Sequence, residues 1–237
     1  MAILPPAEGD FELVDLTHPL REGMPIWPTH PKFTHERLSS LERGDASCHH
    51  ALCLGEHTGT HLDAPLHFVR GGRSIAEIPL HRFFGRLATI DARGAAADSE
   101  VSVAQLLAFE SRYGAIRDGD AVLFSFGWAR FWEHPTLGAS FFADWPGVSG
   151  AAAQLLVERG VRLVGSDCLS IDRFGSADYP AHQCLLGAEV LIGENFANLD
   201  RLPPWSSLVA TPLPIEGGSG SPVRALALVP RAAATPA

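Results

Sequence analysis

No stretch of this chain approaches the roughly eighteen consecutive apolar residues that a membrane-spanning helix requires, so no membrane partner is expected. Basic residues are also scarce: 18 Lys and Arg stand against 27 Asp and Glu, a formal net charge of -9. Nucleic acids and anionic bilayers are bound by clustered cations that displace counterions, and this charge balance excludes nucleic acid as an expected partner. The four cysteines, Cys48, Cys53, Cys168 and Cys184, form no CxxC pair and no regular framework, which fits reduced thiols better than disulfides. Met1 to Glu8 contains no basic region followed by an apolar core, so the expected compartment is the cytoplasm. A GxSxG nucleophile elbow is missing too, which argues against serine hydrolysis of that kind. The glycine-rich run Glu216 to Pro222 is followed by no helical pattern and carries no lysine, so it reads as a turn between two strands and not as a phosphate loop.

Histidine and aspartate, by contrast, are concentrated in one place. His57, His61, Asp63 and His67 share the segment His57-Thr58-Gly59-Thr60-His61-Leu62-Asp63-Ala64-Pro65-Leu66-His67. A lone histidine on a half-buried strand is ordinarily a hydrogen-bonded core or surface residue. Three with a carboxylate, buried without an ion, would carry a large desolvation cost. Together they offer nitrogen and oxygen donors suited to Zn, Mn, Fe or Co. His57 and His61 have the spacing of an HExxH zinc helix, but the Glu is absent, Thr58, Gly59 and Thr60 are weak helix formers, and Pro65 interrupts any continuation. The alternative is a turn at Gly59, with His61 and Asp63 on one side of an extended segment. His67 follows as a nearby, separately directed imidazole.

With 237 residues, 46% hydrophobic and 19% charged, the chain fits a single domain spanning 1–237, with loose Pro/Ala-rich tails at 1–9 and 231–237. Arg86 to Ala92 reads as a strand. Ser102 to Tyr113 reads as a helix with a Ser102/Gln105 capping box and a Gly114 stop, and Ala121 to Phe126 as a buried strand. Ser149 caps a second helix over 150–159, ended by Gly160 and followed by a strand at Val161 to Val164. This strand–helix alternation predicts parallel pairing. Further strands at 48–54, 188–193, 207–213 and 223–229, without helices between them, predict a mixed sheet. The fold class is therefore α/β, a mixed β-sheet with flanking helices.

Four ligand-type residues in one segment are seldom a whole metal shell. Asp167, Asp172, His182 and Glu194 are the further ligand-type residues; Asp167 follows a strand end, where α/β sheets meet ligands, although an Asp there equally caps a turn. Glu194 ends the apolar run Val190-Leu191-Ile192-Gly193 and needs a partner beside a buried strand. His182 follows Tyr179-Pro180-Ala181 in what reads as a loop, and Cys184 nearby would suit a soft metal.

The segment His57 to Phe68 resembles the HxGTHxDxPxHF signature of the cyclase-like metal-dependent hydrolases, the family that includes bacterial kynurenine formamidase. Asp15-Leu16-Thr17 with Gly23-Met24-Pro25-Ile26-Trp27-Pro28 resembles the family's N-terminal element. Gly165-Ser166-Asp167 with Ser170-Ile171-Asp172 resembles its central one, and Ala181-His182, Glu194-Asn195 and Gly217 through Arg224 its C-terminal ones. The resemblance implies a mixed swivelling β/α fold, dimers or higher homo-oligomers, and a divalent metal cofactor, with zinc expected and manganese the alternative. It also implies ligands: His57, His61 and Asp63 for a first ion, with Asp63 and Glu194 bridging to a second that His182 completes. His67 is then the catalytic acid/base. Trp27 lies against an aromatic substrate, although by itself it equally reads as a core indole. The implied reaction is hydrolysis of a small aromatic amide, foremost N-formylkynurenine. Gln183 stands where formamidases often carry a second His, and the stretch Phe126 to Pro146 resembles the wider family, including isatin-hydrolase-like members; a cyclic amide is therefore the alternative. A metal-binding protein without catalysis is the competing reading from another class.

Overall fold

The computed structural model describes residues 10–132 and 141–231, and the expected loose tails lie outside them except for Arg231. In chain order the first strands are β1 (Phe11–Asp15), β2 (Thr34–Ser39), β3 (His49–Cys53), β4 (His61–Asp63), β5 (Phe84–Asp91) and β6 (Glu100–Val101). Then come α1 (Val103–Tyr113), β7 (Ala121–Ser125), β8 (Gly147–Val148), α2 (Gly150–Glu158), β9 (Leu163–Ser166), α3 (Pro180–Gly187), β10 (Leu191–Glu194), β11 (Trp205–Pro212) and β12 (Gly220–Pro230).

Eight strands form one mixed sheet in the order β1-β12-β11-β5-β7-β9-β10-β4. β5, β7, β9 and β10 run parallel, as the βαβ pattern predicts, and the remaining pairs are antiparallel. β4 pairs with β10 on one side and with the start of β12 on the other, so the sheet closes into a barrel. Closure leaves no open edge at that seam, and a strand of three residues is enough to make it.

Side chains alternate across the parallel strands and fill two layers. Ala121, Leu123, Leu163 and Leu191 point into the closed sheet with Leu62, Leu87, Leu208 and Ala225. Val122, Phe124, Val164 and Ile192 point outward, against Leu106, Phe109, Leu156 and Leu185 of the helices. This period of two decides the site: with Leu62 facing the barrel interior, its neighbours His61 and Asp63 share the opposite face.

Several local signals act as the sequence predicts. Ser102 and Gln105 form the capping box of α1, an arrangement that contributes about 1 kcal/mol. The Ser149 hydroxyl accepts the Ala152 N–H at the start of α2. Other signals mislead. The strand expected at 48–54 forms over His49–Cys53, but β3 pairs only with β2 in a separate ribbon. Strand β10 starts at Leu191 because Ala188 to Val190 still bond back to the end of α3. His182 lies in helix α3, between β9 and β10, and not in a loop. Pro180 begins that helix, where a missing N–H costs nothing, so the Tyr-Pro pair marks a helix start.

Candidate metal centre

Gly59 adopts a left-handed φ of +64°, and a Cβ there would meet Leu20 at 2.8 Å. Glycine is therefore needed at the bend that brings His57 back beside β4. The cross-strand pairs Glu194↔His61 and Ile192↔Asp63 align β10 with β4 and bring the Glu194 carboxylate to the same face. His182 reaches that spot from the first turn of α3. The structure thus gathers His57, His61, Asp63, His182 and Glu194, five residues from four separate elements. Asp63, His61, His182 and Glu194 are each at most 6% exposed.

The hydrogen bonds outside the cluster decide what faces inward. The His61 Nδ1 lies 2.8 Å from the Gly59 carbonyl, which can only accept, so Nδ1 carries the proton. His61 Nε2 then faces Asp63 Oδ1 at 3.4 Å and Glu194 Oε2 at 3.5 Å. The His182 Nδ1 donates to Asp172 Oδ2 at 2.6 Å. Its Nε2 faces Asp63 Oδ2 at 3.6 Å and Glu194 Oε1 at 3.4 Å. Asp172 also accepts the Ala181 and His182 backbone N–H groups, so it both caps α3 and orients the imidazole. The His57 Nδ1 stands 2.6 Å from Asp63 Oδ1. Glu194 Oε1 accepts the Ile171 N–H.

Two buried carboxylates surrounded by imidazole nitrogens demand a positive charge, since burying each ion costs several kcal/mol without one. Without an ion, protons supply it. Burial opposes protonation of His182, but bonds to Asp172, Asp63 and Glu194 hold its pKa well above the usual imidazole range. His61 is raised in the same way against its burial, by Asp63 and Glu194. Burial would raise the Asp63 carboxyl, yet the charge and hydrogen bond of His57 and the facing imidazoles of His182 and His61 hold it well below its ordinary value. Asp63 Oδ2 is buried with no hydrogen-bond partner. This donor set fits a divalent ion: the anchored rings offer Nε2 lone pairs to it, and the orphaned oxygen gains a partner. His61, Asp63 and Glu194 can share one ion, and so can His57, Asp63 and His67.

The His67 ring lies against that of His57, with centroids 4.0 Å apart and the planes tilted by 30°. Burial depresses its pKa to about 4, with Asp63 pulling upward and His57, His182 and His61 adding to the depression. It is a neutral imidazole at pH 7. Beside these rings opens a cavity of about 230 Å³, walled by Ile26, Trp27, Phe68, Leu169 and Tyr179. Trp27 forms part of this wall and meets Trp145 edge to face.

Asp167 and Cys184 lie outside the cluster. Both Asp167 oxygens are taken by the backbone N–H groups of Phe126, Trp128 and Ala129, so it anchors the loop after β7. The Cys184 thiol donates to Gln154 at 3.5 Å. Conversely, His30 lines the cavity with its ring 6.0 Å from that of His57, and Glu56 and Ser219 reach the site. Nothing local marks His30 in the sequence, whereas Glu56 adjoins the His57 signature and Ser219 sits in the glycine-rich turn.

A barrel seam carrying buried His, Asp and Glu donors beside an aromatic-walled cavity defines an α/β protein with groups able to hold a metal ion and room for a small substrate. The chain belongs to the Cyclase family, whose profile, described as "Putative cyclase", matches residues 14–173. The kynurenine formamidase of Erythrobacter litoralis is 32% identical over 213 residues, which cover 90% of this chain and 91% of the relative. The structure of isatin hydrolase A from Labrenzia aggregata superposes with a TM-score of 0.87 at 34% identity, covering 95% of this chain and 96% of that one. A Bacillus stearothermophilus protein described as a predicted metal-dependent hydrolase gives a TM-score of 0.73 at 27% identity, covering 92% and 98%.

Proposed function

We propose that this chain is a metal-dependent amide hydrolase, an arylformamidase that cleaves N-formylkynurenine to kynurenine and formate. The observation that carries this reading is the convergence of anchored imidazole nitrogens on the paired carboxylates of Asp63 and Glu194, at the edge of an aromatic-walled cavity. His57, His61 and Asp63 would hold a first divalent ion, and Asp63, Glu194 and His182 a second, with zinc the expected metal. A bound divalent ion supplies an acidified water near neutral pH and polarises the scissile carbonyl.

The remaining work falls to the chain's own residues. His67, neutral because burial depresses its pKa to about 4, offers a ring nitrogen that takes a proton from the attacking water and passes it to the leaving nitrogen. The water oxygen bonds to the formyl carbon, the C–N bond breaks, and the aryl amine departs with that proton. Trp27 and the other aromatic and aliphatic walls of the cavity exclude water and hold the substrate ring flat.

A cyclic aryl amide of the isatin type is the second reading, favoured by the close superposition on isatin hydrolase A. Protein stripped with a chelator, reloaded with Zn²⁺ and assayed in parallel on N-formylkynurenine and isatin tests both. Loss of activity on stripping, return on reloading and faster turnover of N-formylkynurenine are expected. Faster turnover of isatin reverses the substrate assignment. Tight metal binding with hydrolysis of neither makes the chain a metal-binding protein without this catalysis.

A further inference from the structure

The outward nitrogen of His57 is held as deliberately as those of His61 and His182, by residues from two distant parts of the chain. His57 Nε2 lies 2.9 Å from the Ser219 hydroxyl. That hydroxyl donates to Glu56 Oε2 at 2.7 Å, and the Ser219 backbone N–H donates to the same oxygen at 2.9 Å. A serine hydroxyl has one proton, and here it is spent on the carboxylate. Toward His57 the oxygen can therefore only accept, so Nε2 carries the ring proton. Nδ1, 2.6 Å from Asp63 Oδ1, is then the nitrogen left for an ion; without one it carries a second proton, donated to that carboxylate.

The turn is clamped to keep this arrangement. The Ser219 carbonyl accepts the Ala64 N–H at 2.8 Å, and the Gly218 carbonyl accepts the Ile75 N–H at 2.8 Å. A Cβ on Gly220 would come within 2.7 Å of His57 Cε1, and one on Gly218 within 3.1 Å of Glu56 Oε1. Bare glycine backbone on both sides of Ser219 lets the turn press against the imidazole and the carboxylate together. Among the described residues no cation pairs with Glu56, and both hydrogen bonds to its carboxylate come from Ser219.

We propose that Glu56 and Ser219 are positioning residues that fix the tautomer of His57, presenting Nδ1 to the ion through a Glu56–Ser219–His57 relay. The proposal rests on the reading of His57 as a ligand. It assigns the glycine-rich turn a function at the metal centre, and it makes the relay a third counterpart of the Gly59 carbonyl behind His61 and Asp172 behind His182. Outer partners of ligating histidines typically command 10- to 100-fold in metal affinity.

The test is Zn²⁺ affinity by competition with a chromophoric chelator, for wild type, Ser219→Ala, Glu56→Ala, the double variant and Ser219→Thr, alongside the melting temperature of each metal-free protein. Expected are losses of about 10- to 100-fold for each single alanine variant, near-recovery in Ser219→Thr, which keeps the hydroxyl, and no further loss in the double variant, because the two act in series. Nitrogen-15 spectra of the zinc-loaded wild type should show His57 protonated at Nε2. Unchanged zinc affinity in Ser219→Ala, or a His57 protonated at Nδ1, overturns the relay while leaving the metal site standing. A wild type that does not bind Zn²⁺ overturns the ligand reading on which the relay depends.

Discussion

Asp63 and Asp167 are both buried to within 2% of complete exclusion from solvent, and they behave in opposite ways. Among the described residues, Asp167 takes its hydrogen bonds from backbone N–H groups, and the cost of burial dominates, lifting its pKa to about 6. Asp63 faces His57, His61 and His182, which overcome its burial, and one of its oxygens has no hydrogen-bond partner. Burial of a carboxylate therefore does not mark a metal site. What marks it is a shell of imidazoles whose far nitrogens are already committed elsewhere, so that the near ones have only the carboxylates, or an ion, to face.

The sharpest way to break this contrast is to neutralise each carboxylate in turn. Asp63→Asn should abolish both metal binding and hydrolysis, with an affinity loss greater than the roughly 100-fold that outer partners command, read by elemental analysis after dialysis. His67→Ala should keep its metal while turnover falls by about 10² to 10⁴; loss of the metal instead would make His67 a ligand. Asp172→Ala removes the acceptor behind His182 and should weaken zinc by about 10- to 100-fold in a chelator competition.

The smallest effect is expected at Asp167. Asp167→Asn should leave metal content at the wild-type level, because its carboxylate touches only the loop after β7. Its signature lies in pH. The folded carboxyl keeps its proton up to about 6 against an ordinary value of 3.8. That adds stability at and below pH 3.8, which is lost as the pH rises through 6. The stability advantage of wild type over Asp167→Asn should thus shrink by on the order of 3 kcal/mol between pH 4 and pH 7, measured by denaturant unfolding. A flat difference would mean that Asp167 titrates normally.

Much of this was legible in the sequence because the signals were local. The capping box at Ser102 and Gln105, the apolar run of β7 and the alternation of His61, Leu62 and Asp63 each depend on neighbours a few residues away. His182 was misplaced in a loop since Tyr-Pro reads as punctuation until the helix it begins is seen. In the sequence Asp167 and Asp172 are both acids in the segment after one apolar strand, and only tertiary contacts send one to a loop and the other to His182. The Ser219 contact with His57 spans 162 residues, a distance at which sequence pattern carries no pairing information. His30 reaches the cavity by the same kind of long-range fold.

The most direct test is a metal count: protein stripped with a chelator, dialysed against dilute Zn²⁺ and analysed for zinc per chain, with Asp63→Asn and Asp167→Asn treated in parallel. At least one zinc per chain in wild type and Asp167→Asn, and none in Asp63→Asn, is the predicted result. Equal zinc in Asp63→Asn and wild type, or none in either, would contradict it.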